Sequence, residues 1–133
     1  MQLRFVPIIV RNQDEALHFY IGRLGFQPQA DLMMGPSMRF LTVSAPDGIA
    51  GVQLILSLAS VQEEVAAQRA RYIAGIPAIA INTEDAAGEY ARLSTAGVEF
   101  TQRPKDLGVI VSAIFDDTCG NLIHLVQAKG RPG

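Results

Sequence analysis

The feature that most constrains the fold of this chain is an order of elements that occurs twice. Residues 3–58 predict one strand, one helix and three strands, and residues 76–127 predict the same order again. When the helix-ending glycines Gly25 and Gly97 are superposed, LHFYIGRLGF aligns with EYARLSTAGVEF at an offset of about 72 residues. A repeat of this size predicts two β-α-β-β-β units, each with a helix on one sheet face and the other face turned toward a cavity.

Local signals define the predicted elements. Residues 3–10 are rich in β-branched side chains and lack a helical period, and Asn12 is placed to cap a helix that runs to about residue 24. The second helix is opened by Thr83-Glu84-Asp85 and ends at Gly97, while residues 61–72 form a helical connection. The other predicted strands span residues 26–31, 38–45, 51–58, 76–82, 98–102, 109–115 and 121–127.

These elements predict an α+β fold, in which two β-α-β-β-β modules form a curved eight-stranded mixed sheet with the helices on its outer face. We expect one domain over residues 1–133, built from repeats of about residues 1–60 and 75–128 joined by the helical linker. The 49% hydrophobic content suits a packed core. The polar residues 129–133 are expected to form a loose tail.

The stretch AIFDDTCGNLIHLVQ, residues 113–127, predicts a hairpin with its turn at residues 116–121. In that turn, Asp116 and Asp117 are expected to cap backbone amides. Alternation along the returning strand places His124 on the same face as Leu122 and Val126. The same rule assigns aliphatic rows to the helix side of the other strands. The predicted ligand-binding residues of the inner face are Phe5, Pro7, Gln53, Ile55, Ser57, Ala78, Asn82, Leu122 and His124, a mostly apolar set typical of small-molecule sites.

Charge and composition narrow the classes of partner. A net charge of -2 and a pI near 5.6 argue against nucleic acid and anionic membranes as partners. No apolar run reaches roughly 20 residues and no signal peptide is apparent, so a cytoplasmic location is expected. The single cysteine, Cys119, is expected to be a small turn residue.

Four segments resemble the vicinal oxygen chelate superfamily, also called the glyoxalase, bleomycin-resistance and dioxygenase superfamily. They are VRNQDEALHFYIGRLGF, RFLTVSAPDG, DAAGEYARLSTAGVEF and FDDTCGNLIHLVQ, which are similar to its strand–helix opening, third strand, repeated helix and DPxGN-type hairpin. The resemblance covers nearly the whole chain. It implies paired modules, a homodimer and a site inside the curved sheet.

The metal-dependent members of that superfamily place four ligands on the first, fourth, fifth and eighth strands. The resemblance puts those positions at Phe5, Gln53, Ala78 and His124. Phe5 and Ala78 have no donor atom, whereas a catalytic metal generally takes three protein ligands. We therefore expect no cofactor. A divalent metal held by Gln53, His124 and a substrate is the alternative.

The leading hypothesis is a protein that binds a small, largely apolar molecule, with the usual metal site incomplete. One alternative is a metal-dependent lyase or dioxygenase using Gln53 and His124, and another is an antibiotic-sequestering resistance protein. His124 itself is a structural histidine, a substrate-contacting or acid–base catalytic group, or a metal ligand. Arg39 is a solvated strand residue or an anchor for an anionic substrate.

Overall fold

The structure, a computed structural model, describes residues 1–129, so residues 130–133 of the predicted tail lie outside the described residues. Its contacts divide the chain into two units, Met1–Ala67 and Gln68–Gly133. Within the described residues, no helix combines the length and the apolar character needed to cross a membrane.

The first unit is one four-stranded sheet with a helix. Its strands follow the order β1-β4-β3-β2, in which β1 and β4 run parallel and the other neighbours antiparallel. The elements are β1 Phe5–Ile9, α1 Gln13–Tyr20, β2 Gln27–Met33, β3 Arg39–Ser44 and β4 Gln53–Ser57.

The second unit repeats this topology with the order β5-β8-β7-β6, in which β5 and β8 are the parallel pair. Its elements are β5 Ile79–Asn82, α3 Ala86–Thr95, β6 Phe100–Asp106, β7 Ile110–Asp116 and β8 Leu122–Ala128, preceded by the connecting helix α2 Gln62–Ile73. The α+β class and the doubled β-α-β-β-β order are confirmed.

The predicted cap of α1 is confirmed, and the residues predicted to open the second helix supply a cap as well. The Asn12 side chain accepts the Glu15 N–H at 2.9 Å, and the Asp85 side chain accepts the Gly88 N–H at 3.0 Å. At the end of α3, Gly97 adopts a φ of 89°, which a glycine takes without steric cost. The first helix is shorter than predicted. It ends at Tyr20, and a turn then leads to Gly25.

Several strands start later than predicted, and for two of them, β6 and β5, a helix end uses the backbone groups involved. The Val98 N–H donates to Leu93 at 2.9 Å and closes α3, so β6 starts later, at Phe100. The Ile76 N–H donates to Arg71 at 2.9 Å and closes α2, so β5 starts at Ile79. Ala78, predicted within that strand, precedes it.

Each sheet has a helix side with a buried apolar layer. In the first unit the helix contributes Ala16, Phe19 and Tyr20, and the sheet contributes Ile8, Leu41, Val43, Leu54 and Leu56. In the second unit the helix contributes Ala86 and Leu93, and the sheet contributes Ala113, Phe115, Ile123 and Leu125. The predicted alternation is therefore confirmed on the helix sides. The opposite face of each sheet is called its open face below.

Candidate functional site

The open face of the first sheet gathers five of the predicted site residues. Parallel pairing sets Phe5 opposite Gln53, Pro7 opposite Ile55 and Ile9 opposite Ser57. Residues directly opposite each other share a face, so these side chains form neighbouring rows. The ring of Phe5 also meets that of Phe40 edge-on, with centroids 6.1 Å apart. This open face is therefore largely apolar, with Gln53 and Ser57 as its predicted polar members.

The open face of the second sheet carries His124 at its centre. His124 lies opposite Ala80 on β5 and opposite Ile114 on β7, while Asn82 lies opposite Val126. Leu122 is on the same face at the start of β8 and is buried. Ala78 remains adjacent through its N–H, which donates to the Leu122 carbonyl at 2.8 Å. The predicted residues of this unit thus lie in neighbouring rows or beside them.

A chain of hydrogen bonds crosses the second open face. The Gln102 side-chain amide donates to the Ser112 carbonyl at 3.0 Å and to Ser112 Oγ at 3.3 Å. Ser112 Oγ in turn lies 2.5 Å from His124 Nε2. Ser112 is 4% exposed, so its hydroxyl depends on protein partners.

A matching chain crosses the first open face. The Ala30 N–H donates to Thr42 Oγ1 at 3.0 Å, and Thr42 Oγ1 donates to Gln53 Oε1 at 2.7 Å. Thr42 is fully buried. In both units, a buried hydroxyl on the strand beside the polar residue connects it to the edge strand.

Thr42, Ser112 and Gln102 were not predicted from the sequence. Thr42 and Ser112 carried a usable signal, since they are polar residues inside the aliphatic strands RFLTVS and IVSAIFD. Gln102 carried none, because a bulge between Phe100 and Gln102 shifts the register of β6. Phe100 pairs with Phe115 on the helix side, whereas Gln102 pairs with Ile114 on the open face. Simple alternation would have placed both on one side.

The four positions at which the superfamily carries metal ligands are not equivalent in the two sheets. Phe5 faces Gln53 directly across the parallel pair, but His124 faces Ala80 and not Ala78. Residues 1–129 contain no group of three or more His, Cys, Asp or Glu side chains placed to hold a metal ion.

Arg39 differs from both of its predicted roles. Its side chain is 24% exposed and binds Asp14 of α1 and Asp31 of β2, each at 2.8 Å. Hydrogen bonds from Arg39 lower the pKa of the Asp31 carboxyl, and the same carboxylates raise the pKa of Arg39. Arg39 is neither freely solvated nor an open anion anchor, because it joins a helix to two strands.

The turn before β8 is held by the carboxylates predicted to cap it. Asp117 is fully buried and accepts the Cys119 N–H at 2.7 Å and the Asn121 N–H at 3.0 Å. Asp116 accepts the Thr118 N–H at 2.7 Å. Cys119 is buried in this turn. These bonds fix the point at which β8 begins and therefore the register of His124.

Doubled β-α-β-β-β units, each with an apolar open face and a few buried polar groups, define a class of proteins built on the glyoxalase/bleomycin-resistance fold. A family model of the Glyoxalase/Bleomycin resistance protein/Dioxygenase superfamily matches residues 2–125. The chain belongs to this superfamily.

Relatives match along nearly their whole length. The uncharacterized protein YurT of Bacillus subtilis (strain 168) is 39% identical over 127 residues, which cover 96% of this chain and 99% of YurT. The crystal structure of UcmS2 has a TM-score of 0.84 at 28% identity and covers 96% of this chain and 98% of its own. TnmS3, an antibiotic binding protein from Streptomyces sp. CB03234, has a TM-score of 0.76 at 26% identity, with 97% of both chains covered.

Proposed function

We propose that this protein binds a small, largely apolar molecule on the open faces of its sheets. The observation that carries the proposal is the pairing of Phe5 with Gln53, which sets an aromatic ring where a metal-dependent relative has a ligand. Phe5 is 48% exposed although its aromatic neighbour Phe40 lies on the same face. An exposed aromatic ring beside a few fixed polar groups is suited to an apolar ligand.

The residues at the four superfamily positions do not fit a divalent metal. Phe5 and Ala78 offer no donor atom, and Gln53 Oε1 already accepts the Thr42 hydroxyl at 2.7 Å. His124 Nε2 is likewise taken up by Ser112 at 2.5 Å. A metal at Gln53 Oε1 and His124 Nε2 would compete with both hydroxyls for these atoms, and each buried hydroxyl proton would lose that acceptor. The metal-dependent lyase or dioxygenase is therefore the second candidate, favoured by the presence of Gln53 and His124 at two superfamily positions.

Sequestration of an antibiotic is the specific form of binding that the comparisons favour. TnmS3, which is similar over 97% of this chain, is an antibiotic binding protein. We propose the same general role here, with the identity of the molecule left to a ligand screen. We also propose a homodimer in the cytoplasm, the arrangement and location expected from the sequence analysis.

The test compares apolar ligands with metal salts. Protein purified without chelators or an affinity metal is analysed for bound metal and then heated with flat aromatic compounds or with Ni, Zn, Mn and Fe salts. We expect aromatic ligands to raise the melting temperature. Metal salts should leave it unchanged up to about 1 mM, where binding would contribute only roughly 4 kcal/mol. Stoichiometric metal that is lost in His124→Ala would instead put the enzyme first.

A matched pair of variants tests the open face itself. Phe5→Ser removes the exposed ring, whereas Leu3→Ser removes an 82% exposed side chain that precedes β1. We expect Phe5→Ser to weaken binding of the aromatic ligands about tenfold or more and Leu3→Ser to leave it unchanged. Equal affinities in both variants would contradict the assignment of this face.

A further inference from the structure

We infer that His124 and Gln53 are held as hydrogen-bond donors, so that each open face recognises an acceptor oxygen on an otherwise apolar ligand. This inference rests on the proposed function and names the chemical class of the ligand. It follows from the acceptor that each hydroxyl and amide proton requires in the two chains of hydrogen bonds described above.

The donor-to-acceptor direction of the hydrogen bonds leading to His124 is set by Gln102 on the edge strand β6. A carbonyl oxygen is an acceptor only, so the bond to Ser112 O identifies the Gln102 group there as the amide nitrogen. The same nitrogen donates to Ser112 Oγ. Within residues 1–129, the acceptor available to the Ser112 hydroxyl proton is His124 Nε2, at 2.5 Å.

The tautomer of His124 follows from this bond. If Nε2 carried the proton, the hydroxyl of Ser112 would have to accept twice, and its own proton would be buried without an acceptor at a residue only 4% exposed. The neutral ring therefore accepts at Nε2 and carries its proton at Nδ1. In the described part of the chain, that Nδ1–H has no protein acceptor, so it is available to a ligand.

The chain at Gln53 has the same direction. Thr42 Oγ1 accepts the Ala30 N–H at 3.0 Å, so its own proton requires an acceptor. Gln53 Oε1 at 2.7 Å supplies it, which fixes the amide orientation. Both protons of Gln53 Nε2 are then left without a protein acceptor within residues 1–129. The two units use different residues, yet each leaves a hydrogen-bond donor available on its open face.

A ligand that suits these groups has acceptor oxygens and few donors. A ketone, ester or ether oxygen would accept from His124 Nδ1–H or from the Gln53 amide, whereas a ligand N–H would meet another donor and lose its hydrogen bond to water. Sites built around fixed polar groups reject ligands of the wrong polarity more strongly than ligands of slightly wrong size.

The first experiment reads the ring protons directly. The chain has two histidines, His18 and His124, so a long-range ¹H–¹⁵N correlation spectrum is assigned with a His18→Gln variant. At a pH where the ring is neutral, we expect the His124 proton on Nδ1, and a shift of the tautomer population toward Nε2–H in Ser112→Ala. A proton on Nε2 in the unmodified protein would overturn the inference.

The second experiment uses three ligands of one shape. Fluorenone carries a carbonyl acceptor and carbazole carries an N–H donor. Fluorene carries neither a carbonyl nor an N–H group. We expect fluorenone to bind roughly tenfold more tightly than fluorene, the value of one added hydrogen bond, with carbazole weakest. The preference for fluorenone over fluorene should shrink in His124→Phe, in Gln53→Leu or in both, according to the open face that fluorenone occupies. Because these variants also change packing, two milder variants are added. Ser112→Ala removes the hydroxyl that sets the tautomer of His124, whereas Thr42→Ser keeps the hydroxyl that orients Gln53.

The two proposals fail differently. Equal affinity for all three tricyclic compounds would leave apolar binding intact and overturn the donor assignment. Absence of binding by all three would overturn the proposed function and the ligand class together, and the ring spectrum would then decide the donor assignment alone.

Discussion

The hydroxyl of Thr42 is a fully buried group that connects three strands of the first unit. It accepts from Ala30 on β2 and donates to Gln53 on β4. Thr42→Val keeps the shape and removes both bonds, which leaves a backbone N–H and an amide oxygen without this partner. We expect a loss of about 1–3 kcal/mol in the free energy of unfolding, measured by urea denaturation.

The control for that experiment is Thr101→Val, the same change on an edge strand. Thr101 is exposed, and its hydroxyl makes a 3.5 Å bond to the Ile114 carbonyl. Exposed substitutions of this kind usually stay within about 0.5 kcal/mol. Equal losses in the two variants would show that valine packing, and not the hydroxyl of Thr42, determines the result.

Asp117 is the buried carboxylate of the β7–β8 turn. Besides two backbone amides, it accepts the Asn121 side-chain amide at 2.9 Å. Asp117→Ala removes all of these bonds, and hydrogen bonds to charged groups contribute about 1.5–3 kcal/mol. We therefore expect a loss of roughly 3 kcal/mol in urea denaturation, against a negligible loss for Asp47→Ala in an exposed turn. A small loss in Asp117→Ala would mean that the turn holds its shape without the carboxylate.

At the scale of elements, the helix α1 is tied to its sheet by polar contacts at its first turn. The Gln13 side chain donates to the carbonyls of Arg39 and Leu56, at 3.1 and 2.9 Å. Arg39 adds its ion pairs to Asp14 and Asp31. The helix N-terminus is therefore positioned by β3 and β4 as well as by its apolar side.

The Asp31–Arg39 pair predicts a dependence of stability on pH. Hydrogen bonds from Arg39 lower the pKa of Asp31 in the folded protein, whereas the unfolded chain has the ordinary value of about 3.9. A lowered folded pKa stabilises the folded state above the unfolded value, and that contribution is lost as pH falls through the folded pKa. We expect the stability difference between the unmodified protein and Asp31→Asn to be constant above roughly pH 5 and to disappear in stronger acid. Denaturation at several pH values measures it, and because Asp31 is exposed, about 1 M salt should reduce it at neutral pH.

The elements themselves were predictable because their signals are local. Asn12 and Asp85 cap helices, Gly25 and Gly97 follow them, and aliphatic alternation assigns the helix sides. The polar partners at the candidate site were not, because they depend on register across strands. The bulge between Pro28 and Asp31 and the one between Phe100 and Gln102 change which groups of β2 and β6 reach their neighbours.

At the scale of the whole molecule, the two units solve one structural problem with different residues. Thr42 and Gln53 in the first correspond in role to Ser112 and His124 in the second, although Gln53 lies opposite Phe5 and His124 opposite Ala80. Each pair satisfies a polar group on a central strand and leaves its remaining protons available. Both sheets present hydrogen-bond donors although they use different side chains. For the proposed ligand, the donor character of these groups therefore matters more than the identity of the side chains.

We expect the interface of the proposed homodimer to include the tip of the β2–β3 hairpin. Four apolar side chains there are each more than half exposed, namely Leu32, Met33, Met34 and Met38. A cluster of this kind marks an interaction surface, and methionine adapts to a partner. We expect sedimentation velocity to find a dimer at micromolar concentration and Met34→Glu to weaken it about tenfold or more, because a carboxylate would lose water on burial.

Ile49→Glu is the matched control, since Ile49 is 82% exposed in the turn before β4, away from the hairpin tip in sequence. It should leave the dimer unchanged. A monomer at all concentrations up to about 100 μM, where association would contribute less than roughly 6 kcal/mol, would contradict the dimer itself. A dimer that tolerates Met34→Glu as well as Ile49→Glu would place its interface elsewhere, so the two variants separate the existence of the dimer from the surface that forms it.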